Sequence, residues 1–213
     1  MHDLLVLWMS WVQEWGYGGV ILLMAMESSI FPVPSEIVIP PAAIMAAQEG
    51  SHMSYWGVVL TGTLGSYLGS AVTYGVSLWL GRPLVMKYGK YFLMPPRKVE
   101  KAEVFMERYS VGGIFFARLL PVIRHLISIP AGIIRMPFWV FSAATIAGSF
   151  LWCWVLTWFG HRIGQENPGI LDTPEGLERA VKAESTTIVL GVLILAALYV
   201  AMVKMTSRRG EKP

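Results

Sequence analysis

Three stretches of this chain are long and apolar enough to cross a lipid bilayer, and they restrict what the chain can fold into. They cover residues 56–80, 138–159 and 186–203, close to the roughly 20 helical residues that span about 30 Å of hydrocarbon. Hydrophobic residues make up 54% of the sequence and charged residues only 15%, against about a quarter charged in soluble domains. This composition argues against a soluble enzyme and predicts an all-α membrane protein. No aromatic-basic patch or recognition motif indicates a nucleic-acid partner.

Tryptophan side chains mark the ends of the first two predicted spans. Trp56 and Trp79 flank the first span, and Trp139 and Trp158 flank the second. Indole rings are enriched at the headgroup level on both sides of a membrane. Glycine and serine residues along one face of the first span permit close helix packing, which allows a homodimer without requiring one.

The distribution of Lys and Arg predicts the orientation of the spans. The linker over residues 81–110 holds seven basic and three acidic residues, and the tail over 204–213 holds four basic residues and one acidic residue. The loop over residues 161–185 is acidic, with five acidic residues and three basic ones. Basic loops stay in the cytoplasm. We therefore expect the linker and the C-terminus to be cytoplasmic and the acidic loop to be extracytoplasmic.

The N-terminal segment is expected to lie along the membrane surface. Residues 3–15 form a tryptophan-rich amphipathic pattern, which is typical of an interfacial helix. The basic region of a signal peptide is missing from this segment. A continuous transmembrane helix over residues 4–26 is the alternative. A second amphipathic helix is expected in the linker, after Pro95 and Pro96.

The two halves of the sequence match each other. Residues 30–44 align with residues 119–133 without a gap. Further equivalent positions are Gly18 and Gly112, Pro32 and Pro121, Pro41 and Pro130, and residues 65–68 and 148–151. Because the first two spans are expected to cross in opposite directions, the two units predict an inverted-topology repeat.

Prolines interrupt the apolar segment of each unit before it is long enough to cross the bilayer. These prolines are Pro32, Pro34, Pro40 and Pro41 in the first unit and Pro121 and Pro130 in the second. A proline removes an amide donor and clashes with the preceding helical turn. Irregular backbone at membrane depth is tolerated only inside protein or beside a water-filled cavity. We therefore expect two re-entrant helical hairpins with tips near the middle of the membrane, with breaks at Pro32, Pro34, Pro121 and Pro130.

Four ionisable residues lie inside or at the edges of the predicted hairpins: Glu27, Glu36, Arg118 and Arg124. Charges at membrane depth are costly, so they usually face an interior cavity and have a function. Two structural alternatives remain open at this point. Glu27 and Arg118 can form a buried ion pair that only fixes the fold, and Arg124 can extend to the headgroups.

Smaller polar side chains surround these four positions. Ser28, Ser29 and Ser35 can donate to a phosphate, although capping of the broken helices explains them equally well. His125 is expected at the edge of the cavity, because no second ligand lies at metal-binding spacing. We expect no metal site and no cofactor.

Two motifs at these residues give the chain its resemblance to a known family. One is an acid followed by Pro-x-Pro-small-acid, over residues 27–36, and the other is Phe-x-Arg-x-x-Pro-x-x-Arg, over residues 116–124. With the Gly-x-x-x-Gly of residues 65–69 and the Pro-Ala-Gly of 130–132, the sequence resembles the DedA family of bacterial inner-membrane proteins. That family shares its fold with eukaryotic autophagy-related lipid scramblases.

The resemblance implies a function and assigns roles to residues. It implies a multi-pass protein of the bacterial inner membrane that moves undecaprenyl phosphate between leaflets in a manner that depends on the proton motive force. Within the family, the two acids and two arginines at these motif positions are implicated in function, which corresponds to Glu27, Glu36, Arg118 and Arg124. Our own hypothesis is that Arg118 and Arg124 bind the phosphate, that Ser28, Ser29 and Ser35 are further donors, and that Glu27 and Glu36 load and release protons. Some members have Asp at the second acidic position, where this chain has Glu36.

The expected organisation is a transport domain over residues 1–160, followed by a loop over 161–185, a transmembrane helix over 186–203 and a tail over 204–213. Within the transport domain, the first repeat covers residues 3–80, the amphipathic linker 81–110 and the second repeat 111–160. Each re-entrant hairpin is followed by one transmembrane helix. A small-cation/proton antiporter, a passive phospholipid scramblase and an intramembrane phosphatase are the alternative functions.

Overall fold

The computed structural model describes residues 2–29, 34–88, 114–115, 118–119, 124 and 127–166 of the 213-residue chain. These ranges are helical and hold no strand. The helices are α1 (His2–Trp15), α2 (Tyr17–Glu27), α3 (Ser35–Ala47), α4 (Tyr55–Tyr88), α5 (Ser128–Ile133) and α6 (Phe138–Glu166). The expected linker helix and the third predicted span lie outside the described residues.

Helices α1 and α2 are separated by a sharp reversal at Gly16. The φ angle of Gly16 is +53°, a left-handed conformation that glycine adopts without steric cost. Helix α1 folds back so closely that a Cβ at Gly19 would collide with the backbone carbonyl of Trp11. Helix α1 therefore matches the amphipathic helix expected over residues 3–15, and the alternative of one continuous helix over residues 4–26 is wrong.

Helix α3 contains two of the prolines that were expected to interrupt it. Pro34 precedes the helix in an extended conformation, whereas Pro40 and Pro41 lie inside the helix and are buried. The expectation that Pro40 and Pro41 break the helix is therefore wrong. Tertiary packing compensates for the lost hydrogen bonds, because α3 packs along α6 so closely that a Cβ at Gly160 would lie 2.7 Å from Pro40 Cα.

The two long helices, α4 and α6, pack side by side in antiparallel directions. Tyr55 near the start of α4 contacts His161 near the end of α6, and Tyr74 stacks on Phe141 with ring centroids 4.5 Å apart. Between these ends, a Cβ at Gly62 would lie 3.1 Å from Cys153 Sγ. Small residues thus allow the two helices to approach closely.

Helix α6 is the one described helix that is both long and apolar enough to span a membrane by length and composition. It has 29 residues, and α4 has 34 residues but carries more glycine and hydroxyl side chains. Helices α2 and α3 are apolar but shorter. Large apolar side chains on the outer surfaces of α4 and α6 are exposed, among them Trp56, Leu60, Trp79, Trp139 and Trp158.

Candidate functional site

A buried ion pair joins Glu27 to Arg124. Arg124 Nη2 donates to Glu27 Oε2 at 2.6 Å, and the Ser35 backbone N–H donates to the other carboxylate oxygen at 3.2 Å. Glu27 is 2% exposed and Arg124 is 5% exposed. Glu27 ends α2 and Ser35 begins α3. The end of one short apolar helix and the start of the next therefore hold the carboxylate together.

Arg118 is buried nearby and is held by hydroxyl groups instead of a carboxylate. Its Nη1 donates to Ser70 Oγ of α4 at 2.7 Å, and its Nη2 donates to Ser128 Oγ of α5 at 2.8 Å. The guanidinium interacts electrostatically with both Arg124 and Glu27. Arg124, not Arg118, is thus the ion-pair partner of Glu27. Arg124 is also buried, which contradicts the alternative in which it extends to the headgroups.

Each arginine has one buried nitrogen that pairs with none of the described residues. Among the described residues, Arg118 Nε and Arg124 Nη1 have no hydrogen-bond partner. An unpaired buried donor is costly, and more so when it carries part of a charge. The two arginines bring two positive charges to a site in which Glu27 is the one buried carboxylate that the described residues contribute. This arrangement favours an added anion.

The predicted serines are present at the site, but their hydroxyl groups are already engaged. Ser28 shares a hydrogen bond with Ser66 of α4 at 2.9 Å, and Ser29 donates to its own helix at Met26 O. Ser35 Oγ donates to Glu36 Oε2 at 3.4 Å. Glu36 is half-buried in the first turn of α3. The structure therefore brings Glu27, Ser35 and Arg124 into contact, and it connects Glu36 to them through Ser35.

Two aromatic rings of α6 that were not among the predicted site residues lie against the arginines. The Arg118 guanidinium carbon lies 5.8 Å from the centre of the Phe141 ring, and that of Arg124 lies 5.4 Å from the centre of the Trp152 ring. Both distances fall within the range of cation–π attraction. The Trp152 indole N–H also donates to Ser35 Oγ at 3.0 Å. Helical spacing places Trp152 on one buried face with Ser142, Thr145 and Ser149, but its contacts with Ser35 and Arg124 depend on how α6 packs.

A serine pair connects the long helices beside this site. Ser66 Oγ of α4 and Ser149 Oγ of α6 are 3.1 Å apart, and Ser66 also bonds Ser28. Next to the pair, a Cβ at Gly148 would lie 2.6 Å from Arg118 Cβ. The missing side chain of Gly148 therefore provides the space that Arg118 Cβ occupies.

The remaining predicted positions divide into two groups. Pro34 occupies the N-cap position of α3, and Pro130 lies in the first turn of α5, where a helix has no amide hydrogen bond to lose. Pro32, Pro121 and His125 lie outside the described residues. Within the described ranges, no group of three or more His, Cys, Asp or Glu side chains could hold a metal ion.

The described helices hold a buried charged site between short apolar helices and two long ones, an arrangement typical of integral membrane proteins. The model of the VTT domain family matches residues 33–162, and the chain belongs to this family, the DedA family of membrane proteins. The resemblance seen in the sequence is thereby confirmed.

Curated relatives are similar over most of their length. An undecaprenyl phosphate transporter A of Bacillus subtilis is 30% identical to this chain, over 93% of this chain and 94% of the Bacillus protein. A Staphylococcus aureus protein of the same name is 26% identical, over 89% of this chain and 93% of the Staphylococcus protein. An "alkaline phosphatase-like protein" of Lactococcus lactis subsp. cremoris is 30% identical over 91% and 89%. No solved structure matches the chain.

Proposed function

We propose that this protein transports undecaprenyl phosphate between the leaflets of the bacterial inner membrane, towards the cytoplasmic side, and that protons drive the exchange. The observation that carries the proposal is a pair of buried guanidinium nitrogens, Arg118 Nε and Arg124 Nη1, which have no hydrogen-bond partner among the described residues. Guanidinium groups suit phosphate because their donors form charge-assisted hydrogen bonds and stay protonated when they are desolvated. The names of the Bacillus and Staphylococcus relatives agree with this ligand.

In the proposed loading step, Glu27 and the phosphate compete for Arg124. Glu27 occupies Arg124 Nη2 in the structure. A proton on Glu27 removes the charge that holds this ion pair, and the guanidinium then becomes available to the phosphate oxygens. Loss of that proton restores the carboxylate, which displaces the phosphate. Glu36 reaches this pair through Ser35 and serves as the second proton carrier.

The proposed architecture is an inverted repeat of two re-entrant hairpins, and contacts between the units support it. Helix α3 of the first unit packs on α6 of the second, and α5 of the second unit packs on α4 of the first. Ser66 and Ser149 are equivalent positions, and their hydrogen bond is the contact expected at a two-fold axis between the units.

Two equivalent glycines of the long helices, Gly65 and Gly148, have equivalent neighbours in the two units. A Cβ at Gly65 would meet Ile21 and Met24 of α2, and a Cβ at the equivalent Gly148 would meet Phe115 and Arg118. Extending the register of Gly18 and Gly112 makes Ile21 equivalent to Phe115 and Met24 equivalent to Arg118. Arg118 therefore takes the place that an apolar side chain holds in the first unit. This asymmetry supports a charged site specific to the second hairpin.

The proposed topology places the end of α6 outside the cell and the C-terminal tail inside. We expect a cysteine at Gln165, in a Cys153→Ala background, to react with a membrane-impermeant maleimide added to intact spheroplasts. A cysteine at Ser207 should react only after the membrane is opened. Gln165 is exposed and Cys153 is buried, so labelling should report position and not packing. Labelling with the opposite sidedness would contradict the topology.

Transport is tested in proteoliposomes that carry undecaprenyl phosphate in one leaflet and an imposed pH gradient. Arg118→Ala and Glu27→Gln should each lower the initial transport rate at least tenfold, because one removes a phosphate donor and the other removes the proton carrier. Trp79→Phe serves as the matched control, since Trp79 is 93% exposed. Unchanged transport in both site variants would refute the proposed function.

The same vesicles separate the proposal from its alternatives. A cation/proton antiporter would collapse the pH gradient on addition of Na⁺ or K⁺ without any lipid phosphate. A passive scramblase would move ordinary phospholipids without a gradient. A phosphatase, which the Lactococcus name raises, would release inorganic phosphate from the lipid.

A further inference from the structure

Arg124 is one member of a closed cycle of four contacting residues. Arg124 donates to Glu27, Glu27 accepts from the Ser35 backbone, Ser35 accepts from the Trp152 indole, and the Trp152 ring lies beside Arg124. Three of the residues come from α2, α3 and α6, and Arg124 precedes α5 in the chain. Trp152 is 2% exposed, so water does not compete with its contacts.

We infer that Trp152 is a positioning residue of the phosphate site, which holds Arg124 in place while Glu27 and the phosphate exchange; this rests on the proposed function. The ion pair restrains Arg124 only while Glu27 is ionised. The contact between the guanidinium and the indole face does not depend on the protonation of Glu27. Trp152 is therefore a restraint that persists through the exchange, and it keeps Nη1 directed to the position of the ligand.

The indole has two separable contributions. Its ring face contacts Arg124, and its N–H fixes Ser35, whose backbone in turn holds Glu27. Trp152→Phe keeps an aromatic face and removes the N–H, whereas Trp152→Leu removes both. Indole is the strongest of the aromatic partners for a cation, and the contact is stronger when it is desolvated. We therefore expect affinity for the lipid phosphate to fall in the order Trp, Phe, Leu at this position.

The experiment measures binding of undecaprenyl phosphate to the full-length protein in nanodiscs, together with the KM and maximal rate of transport. Trp152→Leu should weaken binding and raise KM about tenfold, which equals about 1.4 kcal/mol, with the maximal rate changed less than threefold. In a Glu27→Gln background the ion pair no longer restrains Arg124. There, the factor by which Trp152→Leu weakens binding should be at least three times larger than in the wild-type background. A purely structural role predicts the same factor in both backgrounds.

Controls separate the failure of this inference from the failure of the proposed function. Trp79→Phe should bind like the wild type. Trp152→Met replaces Trp152→Leu if the latter does not fold, because a flexible methionine fills irregular space. If the wild type binds no undecaprenyl phosphate, the proposed function fails. The positioning role of Trp152 is refuted if the wild type binds the lipid and if Trp152→Phe and Trp152→Leu (or Trp152→Met) bind it as tightly as the protein with Trp152 does, in both backgrounds.

Discussion

Replacement of Arg124 by alanine is expected to lower the free energy of unfolding by about 3–5 kcal/mol and to abolish transport. The loss is large because Glu27 would remain buried without its cationic partner, and an unpaired buried charge costs far more than the pair contributes. Glu27 is 2% exposed, so it cannot recover this energy from water. Chemical unfolding of the purified protein in detergent measures the first effect, and the proteoliposome assay measures the second.

The double variant Glu27→Ala/Arg124→Ala distinguishes a structural ion pair from a functional one. Removal of both charges eliminates the unpaired group, so we expect most of the lost stability to return. Transport should remain absent, because the phosphate has lost one of its two guanidinium donors. A double variant that recovers both stability and transport would show that the pair only fixes the fold.

Much of the site could be predicted from the sequence because charges inside apolar segments are rare and costly. That rule identified Glu27, Arg118 and Arg124, and the structure buries all three in one region. It could not decide which arginine pairs with Glu27. Sequence distance gives no information about two segments nearly a hundred positions apart, and the choice depends on Ser70 and Ser128, which bind Arg118 instead.

Two other features depend on tertiary packing and were therefore not predictable from local patterns. Pro40 and Pro41 violate the local helical preference, yet they remain inside α3 because that helix is buried against α6. Trp152 belongs to an apolar stretch that also contains exposed tryptophans such as Trp154 and Trp158. Composition does not distinguish them. Only the contacts of Trp152 with Ser35 and Arg124 mark it as part of the site.

The close packing of α2 on α4 makes two glycines of the same helix respond in opposite ways to one substitution. A Cβ at Gly69 would collide with the backbone carbonyl oxygen of Ala25 and would lie 2.9 Å from its carbonyl carbon. A Cβ at Gly75 would meet nothing within 4 Å. We expect Gly69→Ala to lower the free energy of unfolding by about 3 kcal/mol, because backbone atoms cannot move aside as a flexible side chain can.

Gly75→Ala is the matched control, and it should leave stability unchanged or raise it by up to about 1 kcal/mol, since alanine favours the helix and adds no clash. The two variants differ only in what faces the added methyl group, so their difference measures the packing of α2 on α4 directly. Because Glu27 lies at the end of α2, Gly69→Ala should also displace the carboxylate from Arg124 and reduce transport more than Gly75→Ala does. Equal unfolding free energies for the two variants would contradict the close approach of α2 to α4. They would also contradict the view that this packing holds Glu27 at the site.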